Sequence, residues 1–244
     1  MPGFSPLVLR VFLTVALCLV CCFHANAKES SAREIKHQIL RLAKSFEGQG
    51  DPDFSKQKQL DALVARLLAA SPQPPVQDRL PMLYGTWKQV WGPYDYREKD
   101  SRGVDPEIGV NEIYQSIFPG GYYYNISPLY RDGNRSDLRI GLLRGKFKLD
   151  DQNPNRLNVR FTSYHGIEGR PPSGQPIWQL APLAENDTLD DEITIVPWLI
   201  VQLFFGSGSL DEVYTDKDLR IAYGSDGSAD GMKSIYILSK VSSP

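Results

Sequence analysis

The chain has three cysteines in 244 residues, and all three, Cys18, Cys21 and Cys22, fall within its first 27 positions. Past that point no thiol remains to form a disulfide or to act as a nucleophile. Histidine is almost as scarce: beyond His24 there are only His37 and His165. Two histidines that far apart do not make a metal cluster by spacing. A Gly-x-Ser-x-Gly elbow is missing, since the GSGS at 206–209 has the wrong spacing. Excess positive charge is missing too. With 27 basic and 29 acidic side chains, the chain lacks the basic surplus on which nucleic-acid binding rests. Nor does any apolar run reach the roughly 18–20 residues that cross a bilayer as a helix. ITIVPWLIVQLFF, Ile193–Phe205, is short and interrupted by Pro197 and Gln202.

The N-terminus explains where the cysteines go. Arg10 is the only charge before Lys28, Val11–Phe23 is an apolar run, and Ala25-Asn26-Ala27 has small residues at both ends. That layout predicts a secretory signal peptide over 1–27, cleaved after Ala27, in preference to an uncleaved anchor. A lipidated cysteine is disfavoured, because Cys18, Cys21 and Cys22 follow Leu17, Val20 and Cys21 rather than a small residue. Cleavage leaves 26 basic against 29 acidic side chains, a formal charge of −3. The remaining chain is long enough for one ordinary domain, stabilised by burial alone, with a small extension.

That extension, 28–78, reads as helical. Ile35, Ile39, Leu42, Ala43 and Phe46 recur at spacings of three and four, as do Leu60, Leu63, Val64, Leu67 and Leu68. Asp53 or Ser55 is the expected cap of the second helix. Ser71-Pro72-Gln73-Pro74-Pro75 then reads as a helix stop and stiff spacer. Such helices either pack on the main domain or form a docking arm for a partner. From 79 to 244 the pattern changes to short β-type runs with turn residues between them. The predicted strands are Leu83–Trp91, Glu112–Phe118, Tyr122–Ile126, Leu138–Leu149, Arg156–Tyr164, Ile177–Ala181, Glu192–Val196, Glu212–Tyr214, Leu219–Tyr223 and Ser234–Lys240. Leu157, Val159 and Phe161 alternate with Asn158, Arg160 and Thr162, one face buried and one wet. Many short strands without helix-length periods predict a mainly β fold, an antiparallel barrel being favoured because it leaves no open edge.

DEVYTDKDLRIAYGSDG, Asp211–Gly227, sets five acids around Arg220 and raises the question of a metal loop. Counting ligands from Asp226 puts Ile237 where a calcium loop needs a bidentate glutamate, and counting from Asp216 puts Arg220 at a ligand position. A strand followed by a Gly, Ser and Asp-rich turn accounts for it better. His165 with Glu168 is a conceivable acid–base pair, although a histidine in a turn is the simpler account. Asp187, Asp190, Asp191 and Glu192 read as a solvated loop. No catalytic residue, cofactor or metal is expected.

The aromatic supply is more informative. Tyr122-Tyr123-Tyr124, Trp87, Trp91, Trp178 and the Ile193–Phe205 run either fill a core or line a cavity. A barrel of about eight strands is wide enough for side chains alone or for one small ligand. The ligand-lining candidates are Tyr124, Phe161, Trp178, Trp198 and Phe204, with Trp198 near the mouth.

From about Leu42 onward the chain resembles the plastid lipid-associated protein family, the PAP/fibrillin proteins. Leu83-Tyr84-Gly85-Thr86-Trp87-Lys88 is similar to the family's Leu-x-Gly-x-Trp entry into its first strand. Tyr214-Thr215-Asp216-Lys217-Asp218-Leu219-Arg220-Ile221-Ala222-Tyr223-Gly224 resembles its Tyr-Leu-Asp-x-Asp-Leu-Arg-Ile-x-Arg-Gly motif, departing at Thr215 and Tyr223. Ile235-Tyr236-Ile237-Leu238 is similar to its last apolar strand. The resemblance implies a lipocalin-like barrel that binds lipids or small lipophilic molecules without enzymatic chemistry. It further implies that Arg220 lies over Trp87 to close one end of the barrel, with Asp216 and Asp218 holding the guanidinium. A secretory signal in place of a transit peptide implies export: to a periplasm, a thylakoid lumen, the secretory route, or a plastid entered signal-peptide first. The alternative is an interaction protein with a filled barrel, docking on lipid particles or a partner enzyme. A hydrolase or isomerase working in the cavity is the third class.

Overall fold

A computed structural model describes residues 29–46, 51, 54–92, 106–108, 113–131, 138–168, 176–181, 194–196, 207–225 and 233–241. Helix α1 spans 29–45. It is followed by α2 (Ser55–Ala70), α3 (Val76–Leu83), and strands β1 (Gly85–Trp91), β2 (Pro106–Ile108), β3 (Tyr114–Ile117), β4 (Tyr122–Arg131) and β5 (Leu138–Leu149). Strands β6 (Arg156–Glu168), β7 (Thr194–Val196), β8 (Ser207–Thr215), β9 (Leu219–Ser225) and β10 (Ser234–Lys240) complete the order.

Eight of these strands pair antiparallel in a closed ring, β1-β3-β4-β5-β6-β8-β9-β10 and back to β1. Closure leaves no continuous free edge for another chain to join. The short strands β2 and β7 extend the wall beside the far ends of β4 and β6. Local chemistry sets the hairpins. Pro119-Gly120-Gly121 turns β3 into β4 with Gly121 at φ 79°, a backbone region that glycine enters without steric cost. Between β5 and β6, the Asp150 carboxylate accepts the backbone N–H groups of Gln152 and Asn153. Asp216 does the same for Asp218 and Leu219 between β8 and β9. Both are Asx turns.

Alternation along the strands assigns two faces. Leu219, Ile221, Ile235 and Ile237 pack with Trp91 against Ile35, Ile39, Ala43, Leu60, Val64 and Leu67 of α1 and α2. The helices therefore lie outside the barrel with their apolar faces on its wall, and do not extend as an arm. Each fully buried aliphatic side chain there contributes roughly 1.5–3 kcal/mol. Gln57 ties α2 to β10: its Nε2 donates to the Lys233 carbonyl and its Oε1 accepts from the Ile235 N–H. The cap of α2 comes from Asp51, whose carboxylate accepts from the backbone of Lys56 and Gln57. Phe54, in a left-handed conformation, occupies the N-cap without a side-chain bond. Of the two caps expected from sequence, Ser55 sits inside the helix and Asp53 lies outside the described residues.

Beyond the short strand β2, which the sequence reading lacked, and β8, which begins earlier than expected, two segments form helical structure in place of strand. The stretch after the proline spacer, expected to run into a strand, forms α3. Val76, Arg79 and Leu83 recur at helical spacing and are all buried, so packing against the barrel end holds a helix despite Pro81. Ile177–Ala181, predicted as a strand, begins with a 3-10 turn over Ile177–Gln179. Ile177 and Leu180 are three apart, which puts both on one side of a helical turn. With Ala181 they pack on Tyr124, Ile126, Ile140 and Leu142.

Candidate functional site

The lumen face carries Trp87, Gln89, Gln115, Ile117, Tyr123, Asn125, Leu157, Val159, Phe161, Leu210, Glu212, Arg220, Ala222, Tyr236 and Leu238, following the cross-strand register. One end of the lumen is closed by α3. Val76 and Leu83 pack with Ile117, Tyr123, Leu157, Val159 and Leu210, and Trp87 Nε1 donates to the Leu83 carbonyl at 2.8 Å. The Trp87 ring is covered by Lys240, whose Nζ sits 4.1 Å from the ring centroid. That ammonium also donates to the carbonyls of Met82 and Tyr84 at the end of α3, where a cation suits the helix dipole. Burial, then the neighbouring Arg220, lowers the Lys240 pKa to about 8.

A polar layer crosses the barrel next to this plug. Arg220 is fully buried. Its Nε and Nη2 donate to the two Glu212 oxygens at 2.9 and 2.5 Å, and its Nη1 donates to Gln115 Oε1 at 2.8 Å. Burial by itself pulls the guanidinium pKa down, and the Glu212 carboxylate more than reverses this. Such a fork–fork pair is charge-assisted and geometrically specific. Beneath it Arg79, 1% exposed, reaches Pro74 O, Thr215 Oγ1, Asn155 Oδ1 and the Glu212 carbonyl. Burial lowers its pKa, with Glu212 opposing and Arg220 adding to the effect.

The sequence expectation for this end therefore needs correction in its partners. Trp87 and Arg220 do lie at the same end, but the cation over Trp87 is Lys240, and the guanidinium is held by Glu212 and Gln115. Asp216 instead accepts from Lys36 Nζ at 2.6 Å, from the Tyr214 hydroxyl and from its own turn. Asp218 is exposed beside Lys217. The reason is strand alternation. Arg220 points inward, whereas Asp216 and Asp218 sit in the turn beyond the wall. Leu210 and Glu212 share a face in sequence, so the inward glutamate had a signal in the alternation; Gln115 and Arg79 had none.

Away from the plug the lumen changes character. Asn125, Ser127, Leu143, Phe161, Tyr164 and Tyr236 face inward yet are only half-buried. Three aromatic side chains approach glycines of the wall closely: a Cβ on Gly141 would fall 2.8 Å from the Tyr164 hydroxyl, one on Gly145 3.3 Å from the Phe161 ring, and one on Gly224 2.7 Å from the Tyr236 ring. Glycine at these positions keeps the rings against the wall and out of the lumen centre. The Tyr123 hydroxyl donates to Asn125 Oδ1 at 2.8 Å.

The ligand-lining candidates are not brought together. Phe161 is in the lumen, 6.5 Å from Tyr123. Tyr124 is on the opposite face of the same wall, fully buried under the 176–181 segment and edge-on to Phe118 at 5.7 Å. Trp178 belongs to that outer segment. Trp198, Phe204 and the Asp226 loop lie outside the described residues. His165 is within β6, not in a turn. It sits on the outer face with Nε2 3.1 Å from Ser163 Oγ, its pKa lowered by burial and by Arg144. Among the described residues no carboxylate bonds to its ring. No helix among them is long and apolar enough to cross a membrane. No family model matches the chain, and no curated protein matches it.

Proposed function

We propose that this chain is an exported, non-enzymatic protein that binds lipids or small lipophilic molecules in the lumen of its barrel. The observation that carries the reading is the contrast along the lumen: a fully buried plug at one end, and inward-facing Leu143, Phe161, Tyr164 and Tyr236 that remain half-buried at the other. Apolar cavities with a few polar contacts suit such ligands, and transfer of apolar area from water at about 25 cal/mol per Å² would drive binding. The resemblance to the PAP/fibrillin proteins points the same way.

The test is lipid extraction and mass spectrometry of the protein purified from its native host, followed by titration of the lipid-stripped protein with lipophiles while tryptophan fluorescence is recorded. Co-purifying lipid and a saturable fluorescence change are expected. Recovery of no lipid, with unchanged fluorescence, would overturn the reading.

A further inference from the structure

The lumen holds a buried side-chain amide nitrogen with no hydrogen-bond partner. Gln89 is 2% exposed, and its Nε2 is buried with no hydrogen-bond partner. It pairs across strands with Leu238, which in turn pairs with Arg220. All three point into the lumen in one row. To reach Gln115 on β3, the Arg220 side chain crosses the lumen faces of β10 and β1, and Gln115 pairs with Trp87, two residues before Gln89. Gln89, Gln115, Arg220 and Glu212 thus form one transverse layer. Above it stands the half-buried Tyr236 ring, which flanks Gly92 beside the Gln89 amide.

The charge of this layer and the plug is unbalanced. Among the described residues the fully buried groups there are two guanidinium ions, Arg79 and Arg220, and one carboxylate, Glu212, with the half-buried Lys240 ammonium at the outer side of the plug over Trp87. Arg79 bonds only to neutral oxygens. Arg220 uses three of its N–H groups out of the five a guanidinium has. One uncompensated positive charge in a low-dielectric site is costly and favours a single negative charge nearby. A buried amide left unsatisfied carries a further penalty that one acceptor removes.

We propose that this layer is a head-group subsite for the carboxylate of a long-chain fatty acid, bound head down with Gln89 as a donor and Arg220 as the facing charge, and with the tail lying along Leu143, Phe161, Tyr164 and Tyr236. The inference rests on the lumen being a lipophile site and adds the ligand class. A carboxylate suits it because it is a compact monoanion that matches an excess of one charge, and because a lumen of about eight strands admits only one narrow ligand.

The experiment uses the purified, lipid-stripped protein loaded with the neutral dye Nile red, displaced by oleic acid, methyl oleate or oleyl alcohol. Oleate should displace the dye at about tenfold lower concentration than the ester, the order expected of a charge-assisted hydrogen bond. Gln89→Leu should lose that preference while keeping ester binding, and should melt no lower than the parent, because it removes an unsatisfied amide. Gln89→Glu supplies the missing negative charge itself. It should fold and bind the ester but reject oleate. Equal displacement by acid and ester in the parent protein, or an acid preference that survives both variants, overturns the subsite and leaves the lumen reading standing. Failure of the dye and of all three lipids to bind overturns both.

Discussion

Arg220 on β9 donates a 2.8 Å hydrogen bond to Gln115 on β3 although two strands, β10 and β1, lie between them in the wall. A bond between strands so placed can only run through the lumen, so it fixes which face of each strand is inside. It also makes the polar layer a cross-brace. The same guanidinium binds both oxygens of Glu212 on β8, so opposite arcs of the barrel are joined through one side chain.

The brace makes Glu212 costly to neutralise. Glu212→Gln leaves Arg220 buried without a counter-charge and should lower stability by about 3–5 kcal/mol in chemical denaturation. Replacing both residues with leucine should cost far less, because it removes the buried guanidinium together with its counter-charge. If the single and double variants are equally unstable, the pair acts through packing alone.

A second expectation concerns Asp216 and acid. Burial, the largest influence, raises its pKa, but the bonds from Lys36, the turn N–H groups and Tyr214 outweigh this and hold it below the ordinary carboxylate value. The stabilisation is therefore present above that ordinary value and is lost as pH falls through the folded pKa. Asp216→Asn should cost roughly 1–3 kcal/mol at neutral pH by loosening α1 at Lys36. The gap between parent and variant should shrink as pH falls below the ordinary carboxylate value of about 4 and through the lowered folded pKa. A gap independent of pH would show that the carboxylate charge is not what holds α1.

Gly224 provides a steric test of the lumen wall. A Cβ there would meet the Tyr236 ring at 2.7 Å. Gly224→Val should push that ring inward, destabilise the barrel by about 1–3 kcal/mol through overpacking, and weaken lipophile binding in the dye assay. Unchanged binding with lowered stability would place the ligand away from Tyr236.

Glycosylation provides the last one. Asn125 opens an Asn-Ile-Ser sequon, but its side chain faces the lumen and accepts from the Tyr123 hydroxyl. Secreted from a eukaryotic host, the folded protein should carry no glycan at Asn125 by peptide mass spectrometry, since a bulky surface modification has no room inside a barrel. Occupancy there would contradict the assignment of the inner face.

Much of this was legible before any tertiary contact was known. The strand over Ser234–Lys240 coincides with its predicted bounds, and those of β5 do as well, because period-two alternation and Gly, Pro and Asp punctuation are local properties. The amphipathic periods of α1 and α2 were readable for the same reason. Less local features escaped. Helix α3 contains a proline and forms because the barrel end gives Val76, Arg79 and Leu83 something to bury against. The segment at Ile177 follows a three-residue spacing too short to tell from a strand. Tyr124 and Phe161, both aromatic and both in strands, ended on opposite faces because register alone decides sides.

The sequence by itself determined the mainly β character, the two N-terminal helices and the turns. Only the tertiary structure decided which groups meet: Lys240 over Trp87, Glu212 and Gln115 on Arg220, and Gln89 facing the lumen with its Nε2 unpaired. Arg220 and Gln115 alone are 105 positions apart. Alternation states which face a side chain takes, but closure of the ring selects its partner across the lumen.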